Sequence, residues 1–421
     1  MLLSYFIEHN RYCNLIGIFV VILIAMVCSR KRSAINYRLI VSALTMQVLV
    51  AFGILRTRIG FNIVNGIAHG VTTLYSCAEH GAQFLFGNLT NPAMAWGFIF
   101  AFKVLPIIIF FGALMSLLFY LGIVQRVVTV VSYVIRPIFG TSGAETVCAI
   151  ANSFLGQTEA PLLIRNYLPH MTKSELLLVM VSGMGTISGA ILAVFAAMGI
   201  PAVHLLTASV MAIPGTILIA KILYPETEKP ATAAGAQSDV QSPANTFLDA
   251  IAMGTTDGLY LALNVAAMLL SFISLIALLN FLLALGSEHI NALIFRCSGL
   301  VLPQLSLGLI FSYLFAPFGY LLGFKGNEAF MAGQLLGMKV TINELIAYGE
   351  LLRMHLSERS VIIMTYALCG FANFSCIGIQ IGGIGALMPD KRAWLSELGL
   401  LAVLGGSLSN LLSAMIIGLL L

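Results

Sequence analysis

Long apolar runs separated by short polar breaks fill most of the chain. They predict eight membrane-crossing helices at about 12–29, 39–55, 96–123, 176–199, 201–223, 258–285, 360–388 and 394–421. A helix rises about 1.5 Å per residue, so about 20 apolar residues cross a hydrocarbon core about 30 Å thick. Two pairs of apolar runs are too short for that. The first pair, 146–155 and 161–168, surrounds the polar island Asn152-Ser153-Phe154-Leu155-Gly156-Gln157-Thr158-Glu159-Ala160-Pro161. The second pair, 329–340 and 345–352, flanks Asn343-Glu344. Short arms meeting at a polar tip predict re-entrant hairpins. Such backbone is tolerated at membrane depth only where protein or a wet cavity satisfies its amides and carbonyls, and a binding site is the usual reason to build one.

Two other stretches organise the chain. Residues 62–86, with His69, Glu79 and His80, are too polar to span and predict an interfacial helix on the outer surface. Residues 225–243, rich in Ala, Gly, Ser and Pro, predict a flexible cytoplasmic linker between two similar halves. In each half a polar-tipped hairpin precedes an apolar span with a glycine-containing break, 183–189 in the first and 370–378 in the second. Each break carries a G-x-x-x-G, Gly185/Gly189 and Gly378/Gly382, and an intact span follows each. An odd number of crossings separates the hairpins, so they enter from opposite faces. That is an inverted repeat, which places substrate and ion sites near the bilayer midplane. The expected units are N-terminal scaffold helices with the interfacial helix (1–138), a first transport repeat (139–223), a linker with a scaffold helix (224–326) and a second transport repeat (327–421).

Composition agrees with this all-α polytopic class: 59% of the 421 residues are hydrophobic and 9% charged, with a mean hydropathy of +0.99. The net charge of +4 is too small and too dispersed to suggest nucleic acid. Its placement says more. Arg30, Lys31, Arg32 and Arg38 lie between the first two spans, and nothing basic occurs over 60–102. Arg126, Arg136, Arg165 and Lys173 surround the first hairpin, and Lys391 and Arg392 separate the last two spans. The positive-inside rule then sets both termini outside. The N-terminus lacks a basic n-region and a cleavage site, so the first span is expected to be retained. Seven cysteines stand singly, with no ligand spacing for a disulfide frame or a metal.

The chemistry concentrates at the hairpins and breaks. An ionised carboxylate at the bilayer centre costs about 2.5–3.5 kcal/mol, so Glu159 and Glu344 need partners. No Lys or Arg is expected at matching depth in either hairpin, which leaves backbone amides, a cation, a proton or a polar ligand. Gln157, Thr158 and Asn373 carry groups that both donate and accept, as an uncharged polar ligand requires; helix capping would explain any one of them alone. Asn152, Thr186 and the carbonyls at Thr186-Ile187 are hard oxygen donors of the kind an unwound helix offers Na⁺. Phe371, beside Asn373, is placed to stack on a ring, though packing is the commoner role for such an aromatic. The seven histidines receive no role. Gly140-Thr141-Ser142-Gly143 matches a short intramembrane serine protease motif, but Ser142-x-x-Glu145 is also a helix capping box, and capping explains more residues. Without a Walker loop or a hydrolase motif, transport must draw on an ion gradient.

GTSGAE (140–145), GQTEAPLL (156–163), Ile342-Asn343-Glu344-Leu345-Ile346-Ala347-Tyr348 and GFANFSCIGI (370–379) occur in that order. On these motifs the chain, from about residue 95 to 421, resembles the concentrative nucleoside transporters. The resemblance implies eight crossings, an interfacial helix, two opposed re-entrant hairpins and a homotrimer whose protomers each transport. It places Gln157, Thr158 and Glu159 at the nucleobase with Ile191 lining the pocket, Glu344 and Asn373 on the ribose, and Phe371 at the edge of the base. It places the coupling cation, Na⁺ or H⁺, near Asn152, the carbonyls of Leu155 and Ile187, and the hydroxyl of Thr186. Three positions depart from the pattern: Cys376 stands where a second Ser is usual, Leu345 where Phe is usual, and Thr186 where sodium-coupled members often have Ser. The expectation is a symporter of the bacterial inner membrane with both termini periplasmic, not an enzyme. Its partners are a nucleoside, the lipid bilayer and copies of itself, with no nucleic acid and no cofactor beyond the cation. The alternatives are transport of another polar solute, such as a nucleobase or an amino acid, and a protease acting through Ser142.

Overall fold

Every regular element among the described residues of the computed structural model (5, 8–91, 94, 99–232, 244–298 and 303–421) is helical. The N-terminal part opens with α1 (Arg11–Val27) and α2 (Tyr37–Arg56). Helix α2 starts where the Asn36 side chain accepts from the amides of Arg38 and Leu39, at 3.1 and 3.3 Å. The expected interfacial helix is α3 (Arg58–Phe86), which lies across α2 with Ile59, Ile63, Ile67 and Phe84 exposed. Next come α4 (Phe100–Lys103) and α5 (Leu105–Tyr120). Residues 96–98 of the expected third span lie outside the described residues.

Helix α6 (Ile123–Phe139) was not expected from the apolar runs. Val124, Val128, Ser132, Ile135 and Phe139 form its buried stripe, while Val130 and Tyr133 face outward. Gln125, Arg126, Thr129, Ser132 and Arg136 interrupt its apolar residues, so it makes no continuous apolar run. Gly122 and Gly140 bound it in left-handed conformation, with φ of +70° and +64°.

The remaining helices are α7 (Gly143–Ala151), α8 (Lys173–Gly185), α9 (Gly189–Met198), α10 (Ala202–Leu223), α11 (Phe247–Ser298), α12 (Leu307–Leu321), α13 (Asn327–Thr341), α14 (Glu344–Leu351), α15 (Glu358–Leu368), α16 (Phe374–Leu387) and α17 (Arg392–Leu420). Among the described residues six helical stretches are long and apolar enough to cross a membrane: Glu8–Val27, Tyr37–Arg56, Phe100–Tyr120, Lys173–Met198, Ala202–Leu223 and Pro389–Leu420. The expected span at 258–285 lies inside the 52-residue α11, about 78 Å long at 1.5 Å per residue. The expected span at 360–388 is two helices, α15 and α16, each too short to cross alone.

Helix α17 sits at the centre, in contact with α1, α2, α8, α10, α15 and α16, and α8 is buried from Ser174 to Gly185. At one end, Glu397 binds both Lys173 (2.7 Å) and Arg30 (3.3 Å), and Lys391 donates to the Met171 carbonyl at 2.8 Å. Those basic residues therefore share one end of the bundle. Basic residues also occupy the other end, where Arg11 and Arg359 donate to the carbonyls of Leu421 (2.8 Å) and Gly418 (2.6 Å).

The start of the expected flexible linker is fastened. Thr232 accepts from the amides of Gly143 (3.0 Å, by its carbonyl) and Ala144 (3.1 Å, by its hydroxyl). It thereby satisfies two of the donors that every helix start leaves over. Residues 233–243 of that linker lie outside the described residues.

Candidate functional site

Two hairpins and two helix breaks make the candidate site. In the first hairpin the Glu145 carboxylate accepts from the Ser142 amide at 2.8 Å, which starts α7. The chain then turns through bonds from Leu155 N to the Ala151 carbonyl (2.7 Å) and from Ala160 N to the Gly156 carbonyl (3.0 Å). The return arm was expected as an apolar helix over 161–168. It consists instead of two 3₁₀ turns, Ala160–Ile164 and Leu168–His170, each with a proline at its start that removes a donor. In the second hairpin α13 and α14 meet at Ile342-Asn343, and Asn343 caps α14 by accepting from Ile346 N at 3.0 Å.

The breaks lie behind the hairpins. Helix α8 stops at Gly185, and Thr186-Ile187-Ser188 leads into α9. Helix α15 stops at Leu368, and residues 369–373 lead into α16, whose cap is Asn373. Asn373 organises this second break. Its Oδ1 accepts from Cys376 N (3.0 Å) and from the Ser375 hydroxyl (2.7 Å), and its Nδ2 donates to the buried Glu344 carboxylate at 3.3 Å.

The two hairpins converge on the first turns of α16. Gln157 Nε2 donates to the Cys376 thiol at 3.2 Å, and Gln157 Oε1 accepts from Gln380 Nε2 at 3.1 Å. Thr158 packs against Gly383, where a β-carbon would lie 2.8 Å from its Cγ2. Gln157, Thr158, Glu344, Asn373 and Cys376 thus form one chain of contacts spanning both halves of the sequence. Phe371 joins it through its carbonyl, which accepts from the Asn373 amide at 2.8 Å, while its own amide donates to the Thr186 carbonyl at 3.3 Å, and Ile191 is buried in the first turn of α9. Glu159 is placed differently. It is exposed, and its carboxylate turns back over Gly156, where a β-carbon would fall 2.0 Å from Oε2. No hydrogen bond joins Glu159 to Glu344 among the described residues.

The expected cation donors also come together. The Thr186 hydroxyl bonds the carbonyls of Asn152 (2.9 Å) and Ser182 (2.7 Å), and Gly189 N donates to the Phe154 carbonyl at 3.0 Å. These bonds stitch the first hairpin turn, which holds Leu155, to the first break, which holds Ile187. Asn152 Nδ2 donates to the Ser182 hydroxyl at 2.8 Å, while its Oδ1 is buried without a hydrogen-bond partner. An orphaned amide oxygen beside a hydroxyl and unwound carbonyls suits a hard monovalent cation. No cluster of three His, Cys, Asp or Glu occurs among the described residues that would suit a transition metal.

One expectation needs correction. Lys339, at the end of α13, is buried to 1% exposure in the second hairpin, where no basic residue was expected. Its Nζ donates to the Ala367 carbonyl (2.8 Å) and to Asn410 Oδ1 (2.6 Å). Asn410, on α17, donates in turn to the carbonyls of Gly185 (2.7 Å) and Cys369 (2.8 Å). Lys339, Asn410 and Gln380 are lone polar residues in apolar helices and carry no sequence pattern. A lysine inside a segment too short to span was the one available signal.

Ser142 is a helix cap. Its hydroxyl donates to the Glu175 carboxylate at 2.5 Å, and His204 pairs with the Tyr366 hydroxyl at 3.2 Å. A protease acting through Ser142 would need a His within reach; the Ser142 hydroxyl is instead held by Glu175, and His204, the one loose candidate, is engaged at Tyr366. Two cavities of about 210 Å³ flank these elements. One is an apolar pocket between α12, α13 and α17 that reaches Lys339, Ala367 and Phe374, and the other lies beside Glu145, Lys221 and Glu226.

Family models described as Na⁺ dependent nucleoside transporter N-terminus and C-terminus match residues 16–89 and 204–418, and one described as nucleoside recognition matches 101–202. The nucleoside permease NupC of Helicobacter pylori is 41% identical over 417 residues, covering 96% of this chain and 97% of the permease. An uncharacterized transporter of Haemophilus influenzae is 42% identical over 414 residues, covering 96% and 97%. Human solute carrier family 28 member 3 is 35% identical over 422 residues, covering 96% of this chain and 59% of that protein. Among solved structures, CNTnw in an inward-facing substrate-bound state matches with a TM-score of 0.88 at 38% identity over 97% of each chain. A substituted CNTnw in an outward-facing state matches with a TM-score of 0.89 at 36% identity, also over 97% of each.

Proposed function

The chain belongs to the Na⁺-dependent nucleoside transporter family, and on that premise we propose that it is a secondary active symporter importing nucleosides by alternating access. The observation that carries this reading is the junction at α16. Gln157 from the first hairpin and Glu344 from the second both end on its capping turn, through Cys376 and Asn373. A nucleoside has a base edge that needs paired donors and acceptors and a ribose that donates hydroxyl protons. Gln157, Thr158 and Glu159, with Ile191 and Phe371, suit the base; Glu344, Asn373 and Cys376 suit the sugar.

The coupling cation in this reading is Na⁺, held by Asn152, Thr186 and the carbonyls of Leu155 and Ile187; proton coupling is the competing case. The chain would make eight crossings with two opposed re-entrant hairpins in an inverted repeat. Residues 1–138 and 224–326 would be scaffold and linker, and 139–223 and 327–421 the moving repeats. It would work as a homotrimer in the bacterial inner membrane, with both termini periplasmic. Since a ligand shifts an equilibrium only by its differential affinity for the two states, cation and nucleoside must jointly favour the conformer that reorients.

Uridine uptake into proteoliposomes under imposed gradients tests the proposal. The expected result is accumulation driven by inward Na⁺ and insensitive to a proton gradient of the same size. Accumulation driven by protons alone rejects Na⁺ coupling, and uptake that ignores both gradients rejects a symporter.

A further inference from the structure

We propose that Asn410 and Lys339 form the link through which the cation site and the nucleoside site sense each other. This rests on the symporter reading and adds to it a pair of positioning residues that touch neither ligand.

The link follows from where unwound helices leave their carbonyls. Each break strands carbonyl groups that have lost their intrahelical partners. Asn410 is 2% exposed on α17, and it donates from the same amide nitrogen to Gly185 of the first break and Cys369 of the second. Its oxygen accepts from Lys339, whose second bond goes to Ala367, near the end of α15. A further bond, from Phe371 N to the Thr186 carbonyl, joins the breaks directly.

Each end of this link lies next to a proposed ligand group. Gly185 precedes Thr186 of the cation site. Cys369 lies two residues before Phe371, and Lys339 five before Glu344, both on the nucleoside side. At the second break the contact with Asn410 is close. A β-carbon at Gly370 would lie 2.4 Å from Asn410 Oδ1 and 2.9 Å from the Met184 carbonyl. Movement of one break therefore displaces Asn410, and with it the other break and the arm of the second hairpin. An element that both sites bias is the physical requirement for coupling. A side chain serving only to fill space at 339 would need no polar end, whereas the Lys339 nitrogen donates to two acceptors at once.

The test is the ratio of uridine dissociation constants without and with saturating Na⁺, measured by calorimetry on the purified full-length protein. In the wild type the expected ratio is about 5- to 150-fold, the usual range for coupled sites. Asn410→Ala and Lys339→Met should bring it below about twofold while uridine still binds in Na⁺-free buffer. Ser407→Ala, which removes a hydroxyl of the same helix that bonds neither break, should keep the wild-type ratio. A merely structural role would weaken binding equally with and without Na⁺ and leave the ratio alone. A wild-type ratio in Asn410→Ala and Lys339→Met overturns the link. Where Asn410→Ala does not fold, Asn410→Asp, which keeps the acceptor for Lys339 and gives up both donors, decides by the same ratio. A wild-type protein whose uridine affinity ignores Na⁺ rejects the Na⁺-coupled reading instead, so the two failures are distinguishable.

Discussion

Gln157 and Cys376, 219 positions apart in the chain, meet through an amide-to-thiol hydrogen bond of 3.2 Å. The bond joins the tip of one hairpin to the helix that follows the opposite break. A thiol is a weak acceptor and a weak donor, so Cys376 is the softest member of the proposed sugar-binding set. Cys376→Ser should strengthen the contact with the ribose, lowering the KM for uridine by about two- to tenfold, as a gain of about 0.5–1.5 kcal/mol implies. Cys376→Ala should raise the KM. Initial uptake rates over a uridine titration give both values, and an unchanged KM in both variants removes Cys376 from the site.

Gly156 keeps the Glu159 carboxylate where it is. A β-carbon there would stand 2.0 Å from Oε2, but the obstructed atom is the end of a flexible side chain. Gly156→Ala should therefore fold normally, with thermal stability within about 0.5 kcal/mol of wild type. Its uridine uptake should fall at least about tenfold, the cost of one misplaced polar contact near 1.4 kcal/mol. Wild-type uptake in this variant means that Glu159 does not have to hold its position.

Thr186 offers a cleaner probe of the cation site than a larger change would. Thr186→Val keeps the shape and removes the oxygen that bonds Asn152 and Ser182. The Na⁺ concentration for half-maximal uptake should rise by about fivefold or more, as loss of about 1 kcal/mol implies. A Na⁺ activation curve that superimposes on the wild type places the ion elsewhere.

The base of the first hairpin carries a different kind of load. Lys221 pairs with the buried Glu145 at 2.7 Å, donates to the Ser174 hydroxyl at 3.0 Å and lies 3.8 Å from Glu226. Lys221→Met leaves a buried carboxylate without its cation, which typically costs about 3–5 kcal/mol. The variant should unfold at a clearly lower temperature in detergent, and adding Glu145→Gln should recover much of the loss. If the double variant is no more stable than the single, the pair is not what Lys221 supports.

The apolar helices α1, α2, α5, α8 with α9, α10 and α17, the helix α3 and the polar turns at 156–160 and 342–343 were legible in the sequence because each leaves a mark in apolar run length. Helix α6 was not, since Gln125, Arg126, Thr129, Ser132 and Arg136 interrupt its apolar residues, and neither was α12, whose 15 residues are too few for a span. The capping role of Asn373 and the contact between Asn152 and Thr186 join groups that local motifs had already marked. Lys339, Asn410 and Gln380 are another matter. Each is a single polar residue whose meaning lies in partners 28 to 225 positions away, and spacing along the chain carries no trace of such a partnership.

Convergence of both hairpins on one nucleoside is tested most directly by uridine binding to the purified protein in saturating Na⁺. The variants to compare are Gln157→Ala, Glu344→Gln and Asn373→Ala. The predicted result is a loss of affinity of at least about tenfold in each, with Gln157→Ala and Asn373→Ala combining non-additively because their groups meet at the same turn of α16. Wild-type affinity in Gln157→Ala together with Glu344→Gln, in protein that folds normally, would contradict it.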